Sequence, residues 1–294
     1  MDNKKLIDEY INELTLKKLS INTIDAYKRD IKHFYEFIDL RNEDITRVEN
    51  ITFMAYKQML QSEGKSNSTS ARNIIVVRNF YKYLIRKEII EFSPLLNNET
   101  PKYKRQLPQI LTIEEVDNLL SSQDLTTNKG IRDKAMLELL YASGTKVKEL
   151  LNLEIKDLNL KFNYILCKGR NGRERIVPIG SLAVKCLNEY LNIRGSINPF
   201  NLDLLFLNNQ GLNMSRQGFW KIIKIYADKS NIKKSINATV LRHSFAVHLL
   251  ENGADLKSVQ ELLGLSELST AKIYIEIGKK NKLAEVYKKS HPRA

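Results

Sequence analysis

At 294 residues the chain is long for one hydrophobic core and comfortable for two, so two domains are expected. Its 47 Lys and Arg against 34 Asp and Glu give a formal net charge of +13 and a pI near 9.5, which favours a polyanionic partner, DNA or RNA before a membrane surface. No run of about 18 apolar residues occurs, and the start, from Met1 and Asp2 to Asp8, Glu9 and Tyr10, carries acids where a signal segment would be apolar, so no membrane-spanning helix is expected and the cytoplasm is.

Residues 3 to 97 read as helices: Leu6, Tyr10, Ile11 and Leu14 recur at helical spacing, as do Ile24, Tyr27, Ile31, Phe34, Tyr35 and Phe37. Four amphipathic helices are predicted. Ser20 and Asn22 before Ile24, and the cluster Ser66 to Ser70 before Ile74, read as helix starts, because short oxygen side chains accept the free amide protons there. The last of these helices runs through Val77, Phe80, Tyr81 and Leu84.

Between Ser93 and Pro108 the pattern breaks, with Pro94, Pro101, Pro108 and the basic run Lys102 to Arg105, which reads as a linker. The predicted organisation is a first domain over 1–97, a linker over 98–111 and a second, larger helical domain over 112–294. That domain opens at Thr112, where Glu115 stands three residues on as in a capping box. It carries one strand signal: Phe162 to Cys167, then Lys168 to Gly172, then Arg173 to Pro178. Asn171-Gly172 between β-type runs predicts a hairpin, since its turn needs residues that tolerate positive φ. Beyond Gly180 the chain returns to helices. Cys167 and Cys186 lack metal-ligand spacing and lie in apolar patterns, so they read as buried thiols, with neither a disulfide nor zinc expected.

Two residues invite a chemical reading and each has a plainer one. Tyr274, between Ile273 and Ile275, reads by spacing alone as core packing. Arg242, flanked by Val240, Leu241, Phe245 and Leu249, reads as a buried cation that needs an anion or an acid such as Glu251 or Glu261.

The stretch from Ala238 through Leu241-Arg242-His243, Gly264-Leu265-Ser266 and on to Tyr274 resembles the signature of tyrosine recombinases of the bacterial Xer type, within the phage integrase family. The similarity extends to Leu140–Leu150, to Met214–Trp220, to Leu107-Pro108 and to Ser290–Ala294, and so covers essentially the whole chain. The resemblance implies a mainly α fold: an N-terminal four-helix, SAM-like core-binding domain, then a larger helical catalytic domain with a small β-sheet. It implies double-stranded DNA as partner, a homo- or hetero-tetramer of recombinase subunits, and a C-terminal docking helix over Asn281–Lys289 with Leu283, Val286 and Tyr287. It implies no small-molecule substrate. A tyrosine attacks a phosphodiester to leave a 3′-phosphotyrosyl link, which conserves the bond energy, so no cofactor and no metal is implied.

Carried over residue by residue, the nucleophile falls on Tyr274 and the second arginine on Arg242. The first arginine position holds Lys146, which keeps the charge and loses the planar fork. Counting back from Pro178 places Arg170 at the hairpin lysine position, with Lys168 as the alternative; of the two only Lys168 can give up a proton. The two histidine positions hold Thr239 and Leu265, while His243 and His248 match positions that are not catalytic ones. A lost transition-state donor of this kind costs about 2.7–4 kcal/mol. The expectation is therefore a site-specific recombinase with weakened or partner-dependent activity; the alternative is a catalytically deficient paralogue that serves as a DNA-binding or regulatory subunit. Ser215, Arg216 and Gln217 resemble the major-groove reader, Arg and Gln being suited to guanine and adenine edges. Ser70, Arg72 and Arg78, with Lys28 and Arg29, resemble the elements of the first domain that approach DNA.

Overall fold

The computed structural model describes residues 3–17, 19–93, 95, 107–169 and 172–290, with 280–290 described by their backbone alone. Most of the predicted linker, including Pro94, Pro101 and the run 102–105, lies outside the described residues, as do Arg170, Asn171 and residues 291–294. The chain divides into two units, Met1–Arg105 and Gln106–Ala294.

The described part of the first unit is built on four helices, α1 (Asn3–Leu16), α2 (Ile21–Asp39), α3 (Asn50–Ser62) and α4 (Asn67–Arg86). Ser20 and Ser66 start α2 and α4 as the sequence predicts: each hydroxyl accepts the N–H three residues on, of Thr23 and Thr69, at 3.2 Å. The apolar faces meet in an aromatic cluster. Phe34 is fully buried, with Tyr56 at 4.9 Å and Phe53 at 6.5 Å, both edge-on. The Tyr56 hydroxyl donates to Asn73 at 2.7 Å and that of Tyr81 to the Ile45 carbonyl at 2.6 Å, so these rings are buried without stranding their polar ends. Buried Asp30 on α2 accepts two bonds from Arg72 on α4, at 2.7 and 3.0 Å.

The second unit contains α5 (Ile113–Ser121), α6 (Asn128–Ser143), α7 (Val147–Leu151), β1 (Leu158–Asn159), β2 (Tyr164–Lys168), β3 (Glu174–Pro178), α8 (Ser181–Arg194), α9 (Arg216–Lys229), α10 (Ala238–Glu251), α11 (Leu256–Leu263) and α12 (Leu268–Ser290). The capping box at Thr112 forms: its N–H donates to Glu115 at 2.8 Å and its hydroxyl accepts the Glu115 N–H at 3.1 Å. The three strands form an antiparallel sheet in the order β1-β2-β3. The predicted hairpin is present, with Lys168 opposite Glu174, the Gly169 N–H donating to the Arg173 carbonyl at 2.7 Å, and Gly172 at φ +72°. Strand β1 is a correction to the two-strand expectation; two residues are too short to display an alternating pattern.

Helices α6 and α10 are buried over most of their length. Ala135, Met136, Leu137, Leu139 and Leu140 of α6 are fully inaccessible, and α10 buries Val240 through Arg242 and Ser244 through His248. Ile110 and Leu111, placed by the sequence at the end of the linker, belong to this unit. The Leu111 N–H donates to Ser244 Oγ at 2.9 Å, its carbonyl accepts from His248 Nε2 at 3.0 Å, and that of Ile110 accepts from Lys234. Cys167 and Cys186 are buried free thiols, as expected, and burial pushes Cys167 up to about 11. No described helix is long and apolar enough to cross a membrane.

The aromatic core sets a stability test for the first unit. Phe34→Ala is expected to cost about 3–5 kcal/mol in urea unfolding followed by circular dichroism. Leu16→Ala, on a side chain 81% exposed, is expected to change stability by no more than about 0.5 kcal/mol.

Candidate active site around Arg242 and Tyr274

The site grows from α10. Its Arg242 is 7% exposed, and the guanidinium donates from Nη1 to the Gly144 carbonyl at 2.6 Å and from Nη2 to the Leu263 carbonyl at 2.7 Å. Neither Glu251 nor Glu261 pairs with it among the described residues. Burial lowers its pKa, with Glu149 and Tyr274 working against that fall. Both acceptors lie at helix ends that turn through the left-handed region. Gly144 closes α6 at φ +57°, and Gly264 follows Leu263 at φ +60°. At Gly144 a Cβ would stand 2.3 Å from the Phe245 ring, so this turn admits no side chain.

Glu149 on α7 gathers the neighbouring cations. Its carboxylate takes a bidentate pair from Arg175 on β3, at 3.1 and 2.7 Å, and the Lys146 main-chain N–H at 3.0 Å, with the Lys146 ammonium at 3.6 Å. Arg175 also donates from Nε to the Leu262 carbonyl at 2.7 Å. Two arginines thus cap the end of α11, Arg175 at Leu262 and Arg242 at Leu263. They join the hairpin and α10 to the turn that leads into α12.

On α12, Tyr274 is 3% exposed and its ring packs with Phe245, Val247, Val259, Leu263, Ala271 and Ile277, as the plainer reading expects. Its hydroxyl is the exception to that packing, lying 3.0 Å from His243 Nδ1. Burial raises the Tyr274 pKa and Arg242 pulls it back, so these two groups act on each other electrostatically.

The remaining predicted positions divide. Lys146 stands beside Glu149 with its side chain half exposed. Lys168, at the end of β2, pairs instead with buried Asp157 at 2.7 Å, with Glu154 4.0 Å away. Strand alternation gives it the opposite face from Cys167, the residue that Arg175 and Arg242 influence. Arg170 lies outside the described residues. Thr239 is exposed in the first turn of α10, three residues before Arg242. Leu265 closes the turn after α11, its N–H donating to the Gln260 carbonyl at 3.1 Å, and its side chain packs on the cluster that holds Tyr274.

Ser215 caps α9 by accepting the Gly218 N–H at 2.9 Å, and Arg216 and Gln217 follow it, exposed, on the first turn. In the first unit Lys28 and Arg29 are exposed, Arg78 is half-buried, and Arg72 is committed to Asp30 while still presenting part of its guanidinium. Ser70 corrects the sequence reading: it is 3% exposed, so it offers no surface contact. Its place among the DNA-approaching residues came from the resemblance alone, and the packing of α4 buries it.

Glu149, Arg175 and His243 escaped the sequence reading as members of the site. Glu149 stands three residues after Lys146 at a helix start, a capping signal that could have found it. Arg175 shares the inward face of its strand with Val177 and carries no signal of its own, since its partner lies on another element.

The phage integrase family model matches residues 109–281, and the phage integrase N-terminal SAM-like domain matches residues 7–88. The chain is 43% identical over 98% of its length, and 99% of the relative's, to "Tyrosine recombinase XerD" of Listeria innocua. It is 41% identical, with the same two coverages, to the protein of that name from Staphylococcus epidermidis. Among solved structures it resembles the XerH site-specific recombinase bound to palindromic difH substrate, at TM-score 0.80, 22% identity, and 98% and 89% coverage of the two chains. A lambda integrase dimer bound to a COC′ core site matches at TM-score 0.75, 16% identity, and 93% and 95% coverage. These two likenesses, with the SAM-like match, establish the predicted fold: mainly helical, with a small antiparallel sheet.

The Glu149 cluster makes a stability prediction with a definite sign. Burial raises this carboxyl, yet the Arg175 bonds and the Lys146 N–H hold it below the ordinary value of 4.5. A depressed carboxyl stabilises the fold above its unfolded pKa and loses that contribution as pH falls through the folded one. Unfolding free energy should therefore decline below pH 4.5, and less steeply in Glu149→Gln. At neutral pH this variant strands Arg175 and should cost about 3–5 kcal/mol, read by chemical denaturation.

Proposed function

The chain belongs to the phage integrase family, and from that premise we propose that it is a Xer-type, site-specific tyrosine recombinase that cuts and rejoins DNA through Tyr274. The observation that carries this reading is a buried Arg242 whose hydrogen bonds among the described residues go to main-chain carbonyls alone, near enough to Tyr274 that the two act on each other electrostatically. Such a guanidinium keeps its charge without a carboxylate to neutralise it, and a scissile phosphate supplies the missing anion. The near full-length likeness to proteins named as recombinases supports an enzyme over a non-cleaving paralogue.

In the reaction, Tyr274 attacks the phosphorus and Arg242 balances charge on the non-bridging oxygens. Lys146 adds a point charge without a fork, from the edge where Glu149 holds it. Lys168 protonates the leaving 5′-oxygen, which requires it to exchange its Asp157 partner for the substrate. Exposed Arg216 and Gln217 read the major groove from the start of α9, while Lys28, Arg29, Arg72 and Arg78 meet DNA from the first unit. The working assembly is a tetramer on two duplexes in the cytoplasm, with the C-terminal end of α12 docking between subunits. The first unit serves as the core-binding domain and the second, which already includes Ile110 and Leu111, as the catalytic domain.

A duplex selected for affinity to the chain, nicked beside the scissile phosphate so that cleavage cannot reverse, tests this directly. The wild type should form a covalent protein–DNA adduct, and Tyr274→Phe should bind the same duplex and form none. No adduct from the wild type, alone or with a second recombinase, would overturn the reading.

A further inference from the structure

The hydroxyl of Tyr274 has one hydrogen-bond partner among the described residues, and it belongs to a position outside the recombinase signature's catalytic set. His243 follows Arg242 on α10, and its Nδ1 lies 3.0 Å from the Tyr274 oxygen, with the two rings 5.5 Å apart and tilted by 49°. Meanwhile the two positions where the signature expects imidazoles hold a hydroxyl and an isobutyl group, at Thr239 and Leu265. The chain therefore keeps one imidazole within reach of the reacting oxygen, and it reaches that oxygen from the nucleophile's side. We propose that His243 Nδ1 is the proton acceptor for attack by Tyr274, a role that rests on the recombinase reading above and adds to it.

The direction of the bond follows from the surroundings. Burial, and then Arg242 beside it, pull His243 below the ordinary histidine value, while burial pushes Tyr274 up. The pair is thus a neutral phenol donating to a neutral imidazole, with the imidazole proton on Nε2. The charged and titratable groups that face His243 are Tyr274 from α12 and Arg242 from its own helix. On α6, Tyr141 is engaged by His248 at 2.8 Å, and no carboxylate lies within ion-pair distance of His243 among the described residues.

The step balances. Tyr274 Oη forms its bond to phosphorus as the bond to the 5′-oxygen breaks, the phenolic proton passes to His243 Nδ1, and the leaving oxygen takes a proton from Lys168 or water. Religation reverses this: the incoming 5′-hydroxyl attacks the phosphotyrosine, and His243 returns the proton to the tyrosine oxygen. Arg242, next to both groups, carries the charge on the phosphate throughout and so does not compete for the proton.

The test compares wild type and His243→Asn on the nicked duplex, once with the natural 5′-oxygen and once with sulfur in the bridging 5′ position, whose thiolate leaves without a proton. Single-turnover adduct formation should slow by about 10²–10⁴-fold in His243→Asn, the range for loss of a general base. The wild-type rate should rise with pH to a plateau through a group titrating below 6.5, and that limb should be missing in the variant. Sulfur should leave the defect in place, because the lost proton transfer lies at the nucleophile. Equal rates for the two proteins, an unchanged pH limb, or full rescue by sulfur would each overturn the assignment. Melting temperature and duplex affinity, both expected to match the wild type, guard against a folding defect, and His243→Gln repeats the comparison if the Asn variant is unstable. If the wild type forms no adduct, the recombinase reading itself fails; if it forms one without this histidine dependence, only the present inference does.

Discussion

A buried guanidinium without a carboxylate of its own is the constraint on which the second unit depends. Moving a cation of this kind out of water costs on the order of several kcal/mol, and each hydrogen bond to a charged group returns about 1.5–3 kcal/mol. Arg242 recovers part of that cost from the carbonyls of Gly144 and Leu263, which no helix could otherwise satisfy in its last turn. The one acid that influences it most, Glu149, spends its lone pairs on Arg175 and the Lys146 N–H. What remains is a fixed positive charge held where two helix ends meet, and in the proposed reaction a phosphate is the anion that completes it.

The same bonds explain how a small hairpin comes to matter. Arg175 carries β3 to the end of α11 through Leu262, and Arg242 carries α10 to the next residue. Gly264 then turns the chain toward α12, where Tyr274 sits with its ring in the core and its hydroxyl at His243. The tyrosine ring belongs to the apolar cluster while its hydroxyl meets His243, so packing fixes the position of the oxygen that the proposed reaction uses.

Local signals carried much of the fold: the caps at Ser20, Ser66 and Thr112 and the turn at Gly172 obey rules that span only a few residues. Strand β1 was not legible because two residues have no period. In the site, Arg242 and Tyr274 were legible only through the long matched stretch, because a lone arginine or tyrosine among apolar residues is more often structural. The Arg175–Glu149 bond spans two elements and leaves no local trace, and the His243–Tyr274 contact depends on how α10 packs against α12. Ser70 shows the reverse error, a polar residue that tertiary packing turned inward.

The most direct measurement of the account replaces a non-bridging oxygen of the scissile phosphate by methyl, which removes the charge that Arg242 is held to meet. Adduct formation by the wild type and by Arg242→Ala is compared on the charged and on the neutral duplex. If the guanidinium acts by balancing phosphate charge, Arg242→Ala should lose activity by orders of magnitude on the phosphodiester and far less on the methylphosphonate. An equal loss on both substrates would contradict this and leave Arg242 as a brace between Gly144 and Leu263 alone.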